Sequence, residues 1–212
     1  MTVRQLTAAA MVAMIPLAIA AGFLLTGSER ETEGGRGETT TKTLRGDSFT
    51  TAYPSSWRLT AEQSPTGEGA RYRLSSTGAQ IDGLGIPPAG TIGVTIVEMP
   101  TSALSALHLK GAKPDRAAAR QNAIELLPHV IGVPGAAQGV IRVVSPRATS
   151  LDGVNAAEEA YTYNLAAREL VQMDVLSVRD GRLAFVELDT EPTLTHVGRG
   201  ALATIIGHWR WH

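Results

Sequence analysis

The chain has 212 residues and a formal net charge of -1, with 19 basic and 20 acidic residues. Because the basic residues are scattered along the sequence, no patch of the kind that binds phosphate backbones is predicted, and we expect no nucleic-acid partner. Cysteine is absent, which excludes disulfides, thiolate nucleophiles and cysteine-ligated metals. The length that remains after the N-terminal segment, about 170 residues, is enough for one folded domain.

The N-terminal segment is typical of membrane insertion. Residues 6–25 (LTAAAMVAMIPLAIAAGFLL) carry no charge and as a helix would span about 30 Å, the thickness of a bilayer's hydrocarbon core. This length favours a retained anchor, whereas Ala18-Ile19-Ala20 is an acceptable cleavage signal and leaves a secreted product open. With Arg4 as the only basic flank, a retained anchor predicts a single pass through a bacterial cell membrane with the following domain outside the cytoplasm.

A polar stretch follows this segment. Residues 28–43 (SERETEGGRGETTTKT) contain no large apolar residue and therefore predict a flexible linker. Leu25-Thr26-Gly27 resembles the start of a lipoprotein box, but the next residue is Ser28 rather than Cys, which excludes lipid attachment. The predicted organisation is a signal anchor or signal peptide at 1–27, the linker, and one domain at 44–212.

The first half of the domain is predicted to contain three strands and one helix. Alternating apolar or aromatic residues indicate the strands, and a run of strong helix formers indicates the helix. The first strand ends at Pro54, after which Trp57 can fold back onto it. The predicted strands contain Phe49–Tyr53, Arg71–Leu74 and Ile92–Ile96, a Gly/Pro-rich loop lies before the third, and the helix covers Asp115–Leu127.

The second half is predicted to be a run of antiparallel strands followed by a helix. Asp180-Gly181 is a two-residue turn signal between two strand patterns, and the apolar spacing after Pro192 has helical period, with Thr193 or Thr195 as its cap. The predicted fold class is therefore α+β, an antiparallel sheet covered by helices. The predicted strands are Val140–Ser145, Ala157–Leu165, Glu169–Arg179 and Arg182–Thr190.

The order of these elements, together with Phe49, Tyr53-Pro54 and Trp57, resembles the PsbP-like fold. That fold is shared by the photosystem subunit PsbP, the Ran-binding Mog family and the LpqN-type envelope lipoproteins of actinobacteria, and the last group is nearest in layout. The resemblance covers Leu44 to Trp211 and implies an α/β/α sandwich with a non-enzymatic role as an assembly factor, adaptor or chaperone. It implies no catalytic motif to carry over, and Ser28 departs from the lipoprotein members.

No hydrolase, nucleotide-binding or metalloprotease motif occurs in the sequence. His208 and His212 lie four residues apart and could share a helical face as metal ligands, but their position at the terminus favours an exposed or structural role. We therefore predict no catalytic residue and no cofactor. Trp211, next to the last residue, is a candidate contact for a partner or for the membrane interface.

The predicted hairpin around Asp180-Gly181 contains the one constellation with chemical interest. A two-residue turn places Asp174 opposite Glu187 and Gln172 opposite Asp189 on one face, whereas the other face is apolar. Opposed carboxylates repel each other unless something neutralises them. An arginine of the same chain is the favoured neutraliser of Asp174, Glu187 and Asp189, and simple solvation or a bound cation or basic partner surface are the alternatives.

Three functions remain open from the sequence. The first is an extracytoplasmic, membrane-tethered binding or assembly module, held by residues 6–25 and contacting another envelope protein. The second is a metal-assisted enzyme that uses the acidic face or the histidines. The third is a small-molecule or peptide-binding protein with a groove under the loop Ile81 to Ala89.

Overall fold

The structure is a computed structural model and describes residues 40–63, 69–82, 85–105, 123, 126, 127, 134 and 136–212. The predicted membrane segment and residues 28–39 of the predicted linker lie outside these residues. In the described part of the chain, no helix is long and apolar enough to cross a membrane.

The described residues form two antiparallel sheets and include the 13-residue α-helix α1 (Thr195–Gly207). The strands are β1 (Thr41–Arg45), β2 (Phe49–Pro54), β3 (Arg58–Gln63), β4 (Ala70–Ser75), β5 (Gly93–Pro100), β6 (Gln138–Leu151), β7 (Val154–Leu165), β8 (Arg168–Arg179), β9 (Arg182–Thr190) and β10 (Arg210–Trp211). The smaller sheet has the order β1-β2-β10 and the larger one β3-β4-β5-β9-β8-β7-β6.

The smaller sheet is fixed to the end of the chain by aromatic packing. Phe49 of β2 stacks on Trp209 with ring centroids 4.0 Å apart, and Trp209 is completely buried. β1 begins at Thr41, so the last three residues of the predicted linker pair with β2. The aromatic residues that the sequence placed at this first strand thus anchor the C-terminus, and Trp57 is buried after the turn at Pro54.

The larger sheet has two different faces. On the face that α1 covers, here called the helix face, apolar side chains of β5, β8 and β9 are buried, and α1 approaches closely at Gly198, beside Leu188 and Ile92. The opposite face, here called the polar face, carries two apolar clusters at its ends. Between these clusters lie the charged side chains of the candidate site.

The strands predicted from the sequence are confirmed, but the predicted fold class is wrong. The chain does not form an α/β/α sandwich, since the described structure is mostly antiparallel sheet with α1 on one face. The sheet dominates because β6 to β9 are long, with 14, 12, 12 and 9 residues. Of the predicted helix Asp115–Leu127, only residues 123, 126 and 127 are described; they are helical and buried.

The start of α1 also differs from the prediction. Its N-cap is Leu194, without a side-chain cap, rather than Thr193 or Thr195. The reason is the 3₁₀ turn Pro192–Leu194, which leads directly into the helix and leaves no extended residue for a hydroxyl cap.

Candidate functional site

The hairpin of β8 and β9 brings the predicted acidic residues together. The register pairs Asp174 with Glu187 and Gln172 with Asp189, as predicted, because the chain reverses at Asp180-Gly181. Both turn residues have positive φ, 48° and 76°, which a two-residue hairpin turn of this kind requires. All four side chains therefore lie on the polar face, where the sequence placed them.

These acidic side chains lie inside the protein. Asp174 and Asp189 are only 1% and 2% exposed, and Glu187 is partly buried. The amide of Gln172 donates to Asp174 Oδ2 at 2.8 Å. The Tyr163 hydroxyl donates to Asp189 Oδ1 at 2.9 Å. The Gln172 amide also lies 3.5 Å from Glu187 Oε2, so a neutral donor contacts each of the three carboxyl groups.

A fourth acid belongs to the same group, although no pattern in the sequence indicated it. Glu159 of β7 pairs with Asp174 and is buried. It accepts a hydrogen bond from the Tyr161 hydroxyl at 2.6 Å, and the Arg142 Nε lies 3.4 Å from the same oxygen. We call Glu159, Asp174, Glu187 and Asp189 the acidic cluster.

Burial raises the pKa of three members of the cluster. For Asp174 and Asp189 the loss of solvation is the main cause, and repulsion by the Glu187 carboxylate raises both pKa values further. Burial also raises the pKa of Glu187, to about 7, although a hydrogen bond with Asp189 and the nearby arginines act against this shift. Asp174, Glu187 and Asp189 therefore hold protons at pH values where exposed carboxylates are ionised.

Arginine contributes to the neutralisation, as predicted, but only for part of the cluster. Arg71 and Arg73 of β4 attract Glu187 and lower its pKa. They reach it across β5, because Arg73 pairs with Thr95 and Thr95 pairs with Glu187. For Asp174 and Asp189, protonation and neutral hydrogen bonds replace the predicted arginine.

The loop Ile81 to Ala89, which was predicted to cover a groove, instead packs against the polar face through Gly85 and Ile86. The side chain of Ile86 joins Tyr163 and Leu170 in an apolar cluster. Gly85 has a φ of +90°, and a Cβ atom there would lie 2.9 Å from Glu187 Oε1. The space beneath these two loop residues is therefore filled, and residues 83 and 84 lie outside the described part of the chain.

The metal hypotheses find no support in the geometry. Among the described residues, no group of three or more His, Asp or Glu side chains could hold a metal ion. His208 and His212 do not share a helical face, because α1 ends at Gly207 and β10 separates the two histidines. The His208 Nδ1 lies 2.9 Å from the carbonyl oxygen of Thr204.

Trp211 is not exposed at the protein surface, although its position near the terminus suggested an exposed contact residue. Its side chain is only 8% exposed, so the expectation of an exposed tryptophan is wrong. The indole N–H donates to the Leu151 carbonyl at 3.2 Å, and the ring packs edge-on against Trp209. The two-residue strand β10 holds it in place against Phe49 of β2.

Among the described residues, the exposed large apolar side chains cluster on β6 instead, with Val197 of α1 as a single further one. β6 is an edge strand, since it pairs with β7 on one side and with no described strand on the other. Its first part, residues 138–144, is here called the β6 edge. Val140, Ile141 and Val143 of this edge are 47%, 62% and 45% exposed.

Comparison with known proteins gives matches at the level of structure. No protein-family model and no curated protein matches the chain. PsbP (CyanoP) from Synechocystis sp. PCC 6803 is 14% identical, with 86% of this chain and 98% of that chain covered and a TM-score of 0.46. LpqN of Mycobacterium tuberculosis, involved in cell envelope biogenesis, is 17% identical with 81% and 90% covered and a TM-score of 0.44.

The Ran-binding protein Mog1p of Saccharomyces cerevisiae is 11% identical, with 81% and 95% covered and a TM-score of 0.48. These matches are to the same proteins that the sequence resembles, PsbP, LpqN and Mog1. At these identities the likeness concerns the fold alone, and the roles of those proteins are not transferred to this chain.

Proposed function

We propose that this domain is a non-catalytic binding module and that the β6 edge receives an extended segment of a partner protein. The observation that carries the proposal is an edge strand with three exposed apolar side chains in four consecutive positions, 140 to 143. An unpaired edge offers a row of backbone donors and acceptors to another strand, and its side chains select the partner.

The usual protections of a sheet edge are only partly present in this part of β6. Natural proteins block edges with exposed charge, proline or bulges. Two of the three register shifts along β6 lie inside the β6 edge, between Gln138 and Ile141 and between Arg142 and Val144, whereas Pro146 lies beyond the exposed stretch. The one charge inside it, Arg142, is drawn inwards, with its guanidinium 5.2 Å from the Tyr161 ring centroid and its Nε 3.4 Å from Glu159.

The chemistry of the partner follows from this neutralisation. Because Glu159 balances the charge of Arg142, the edge presents apolar side chains without net charge. A charged segment would gain no counterion there and would lose solvation on docking. We therefore propose that the partner supplies an extended, largely uncharged segment with apolar side chains.

Site-specific photo-crosslinking in cells tests this proposal. A photo-crosslinking amino acid replaces Ile141 in the full chain, and the matched control replaces Val197 of α1, which is 58% exposed but lies away from any sheet edge. The expected result is one reproducible product at position 141, lost when Val143→Lys is added and absent at position 197. Equal products at both positions, or a product that contains only two copies of this chain, would contradict a partner strand.

We further propose that residues 6–25 tether this module to a bacterial cell membrane, with the domain outside the cytoplasm and the polar stretch 28–43 as its connection. The support is the length of the uncharged stretch, which matches a bilayer core. A protease added to intact spheroplasts should then degrade the domain while leaving cytosolic markers intact. Release of the domain without residues 6–25 would identify the secreted alternative.

A further inference from the structure

A cleft on the polar face lies at the opposite edge of the large sheet from β6. Its volume is about 210 Å³, and it lies over β3 and β4 beside the residues that follow β4. This is smaller than the roughly 300–1,000 Å³ typical of drug-sized ligands, so it suits a small molecule. Its lining includes Arg58, Thr60, Arg73, Ser75, Gln80 and Ile81.

The sheet register explains why hydrogen-bond donors converge in this cleft. Arg58 pairs with Ser75 and Thr60 pairs with Arg73, so the four side chains share one face in two adjacent rows. The two guanidinium groups stand diagonally across the β3–β4 pair, with a hydroxyl beside each of them. Such an arrangement presents positive charge and O–H donors to the same small volume.

One side of the cleft is apolar. Ala79 and Ile81 line it, and Ile81 is buried against the start of β5, where a Cβ on Gly93 would lie 3.2 Å from the Ile81 Cδ1. The cleft therefore combines a basic, hydroxyl-bearing floor with an apolar wall. A matching ligand has an acidic group at one end and a short apolar body.

Positive charge exceeds negative charge around the cleft. Arg58, Arg71 and Arg73 lie on this face of β3 and β4, and burial together with the charge of Arg73 lowers the pKa of Arg71. The nearby acids are Glu62, whose Oε1 lies 2.6 Å from Arg73 Nη1, and Glu187 two strands away. The local balance is basic, and the arginines repel one another.

Two polar groups of the cleft are available to a ligand. Ser75 is 4% exposed, and its Oγ has no hydrogen-bond partner among the described residues. Arg58 is exposed, and its Nη1 donates a hydrogen bond to the Gly78 carbonyl oxygen at 3.3 Å. Among the described residues its side chain makes no other hydrogen bond and no ion pair with a carboxylate. A buried hydroxyl without a partner is costly, and a ligand oxygen would satisfy it.

We propose that this cleft binds a small organic monocarboxylate. The carboxylate accepts from the Arg58 guanidinium and the Ser75 hydroxyl, and the short alkyl chain lies against Ala79 and Ile81. A carboxylate with an alkyl chain fits better than inorganic phosphate, because only the alkyl chain buries apolar surface against Ala79 and Ile81. The proposal does not depend on the β6 edge or on membrane attachment.

Titration of the full chain with pentanoate, followed by NMR, tests the site. The expected result is saturable binding that Arg58→Gln weakens by at least about tenfold, as the loss of a charge-assisted hydrogen bond predicts. Ser75→Ala should weaken binding less, because its hydroxyl is neutral. Arg45→Gln, an exposed arginine on β1, is the matched control and should leave binding unchanged.

Two comparison probes decide the chemistry of the ligand. Pentylammonium has the same alkyl chain and opposite charge, and it should not bind. Inorganic phosphate should bind more weakly than pentanoate. The proposal is overturned if pentanoate does not saturate at concentrations up to about 50 mM, if Arg58→Gln leaves its affinity unchanged, or if phosphate or pentylammonium binds more tightly.

Discussion

Replacing Glu187 with Gln should make the protein more stable at alkaline pH and reduce the dependence of its stability on pH. Glu187 lies on the polar face opposite Asp174, and burial raises its pKa from 4.5 to about 7. Gln has nearly the same shape but does not ionise. The variant therefore removes a charge that the folded protein accommodates poorly at high pH.

The sign follows from proton binding. A carboxyl group whose pKa is higher in the folded than in the unfolded state binds more protons when folded, so its stabilising effect is full below pH 4.5 and is lost as pH rises through about 7. One pKa unit corresponds to about 1.4 kcal/mol. Because the Glu187 side chain retains some contact with solvent, we expect this residue to account for about 2 kcal/mol of the loss in unfolding free energy between pH 5 and pH 8.

Urea unfolding of the full chain at pH 5, 6, 7 and 8 measures this loss. Glu187→Gln should unfold at a higher urea concentration than the natural chain at pH 8 and at nearly the same concentration at pH 5. Glu169→Gln, an exposed acid on the same strand as Asp174, is the control and should change little at either pH. A wild-type stability that does not fall above pH 6, or a variant that is less stable at pH 8, would refute the reasoning.

Three further substitutions test the packing of the fold, at the candidate site and away from it, each by the change in unfolding free energy. Gly85→Ala should lower the unfolding free energy by about 2–3 kcal/mol, because φ is positive there and the new Cβ would contact a carboxylate oxygen of the acidic cluster. Gly90→Ala, where φ is also positive but the space is open, should lower it by about 1 kcal/mol. Trp211→Phe should cost about 1 kcal/mol, because the hydrogen bond to the Leu151 carbonyl is lost. Glu98→Gln should cost about 2 kcal/mol, because it removes the buried carboxylate that an arginine of β9 contacts at 2.8 Å.

The β8–β9 hairpin could be predicted from the sequence because its turn residues and its strand periodicity indicate the same structure. Asp180-Gly181 is a turn pair that tolerates positive φ, and the flanking residues alternate with period two, so turn and register were determined together. The neighbouring β7–β8 turn has no such signal. Ala166 and Ala167 adopt φ values of 50° and 64° without glycine or asparagine, so the pairing of Glu159 with Asp174 was not predictable.

Burial was the second property that the sequence could not provide. Strand periodicity shows which residues share a face but not which elements later cover that face. The acidic residues were therefore placed correctly, whereas their enclosure depends on contacts such as that of Gly85, distant in the sequence from Glu187. Trp211 is buried for the same reason, because β10 pairs with β2 at the other end of the chain.

The position of each acid in the sheet explains how it is neutralised. Glu159 lies on β7, next to the edge strand, where Arg142 of β6 can reach it while keeping contact with solvent. Glu98 lies near the end of its strand, within reach of Arg182 at the hairpin turn. Asp174 lies on a strand flanked on both sides by others, and at its position the adjacent side chains on this face, Glu187 and Glu159, are themselves acidic.

A long basic side chain is energetically most favourable when its apolar stem is buried and its charged end remains in water. The centre of a covered sheet face does not allow this. Retaining a proton is then the less costly way to bury the carboxyl group of Asp174, which agrees with the upward direction of its pKa. The pH-dependent part of the stability should therefore originate from β8 and β9.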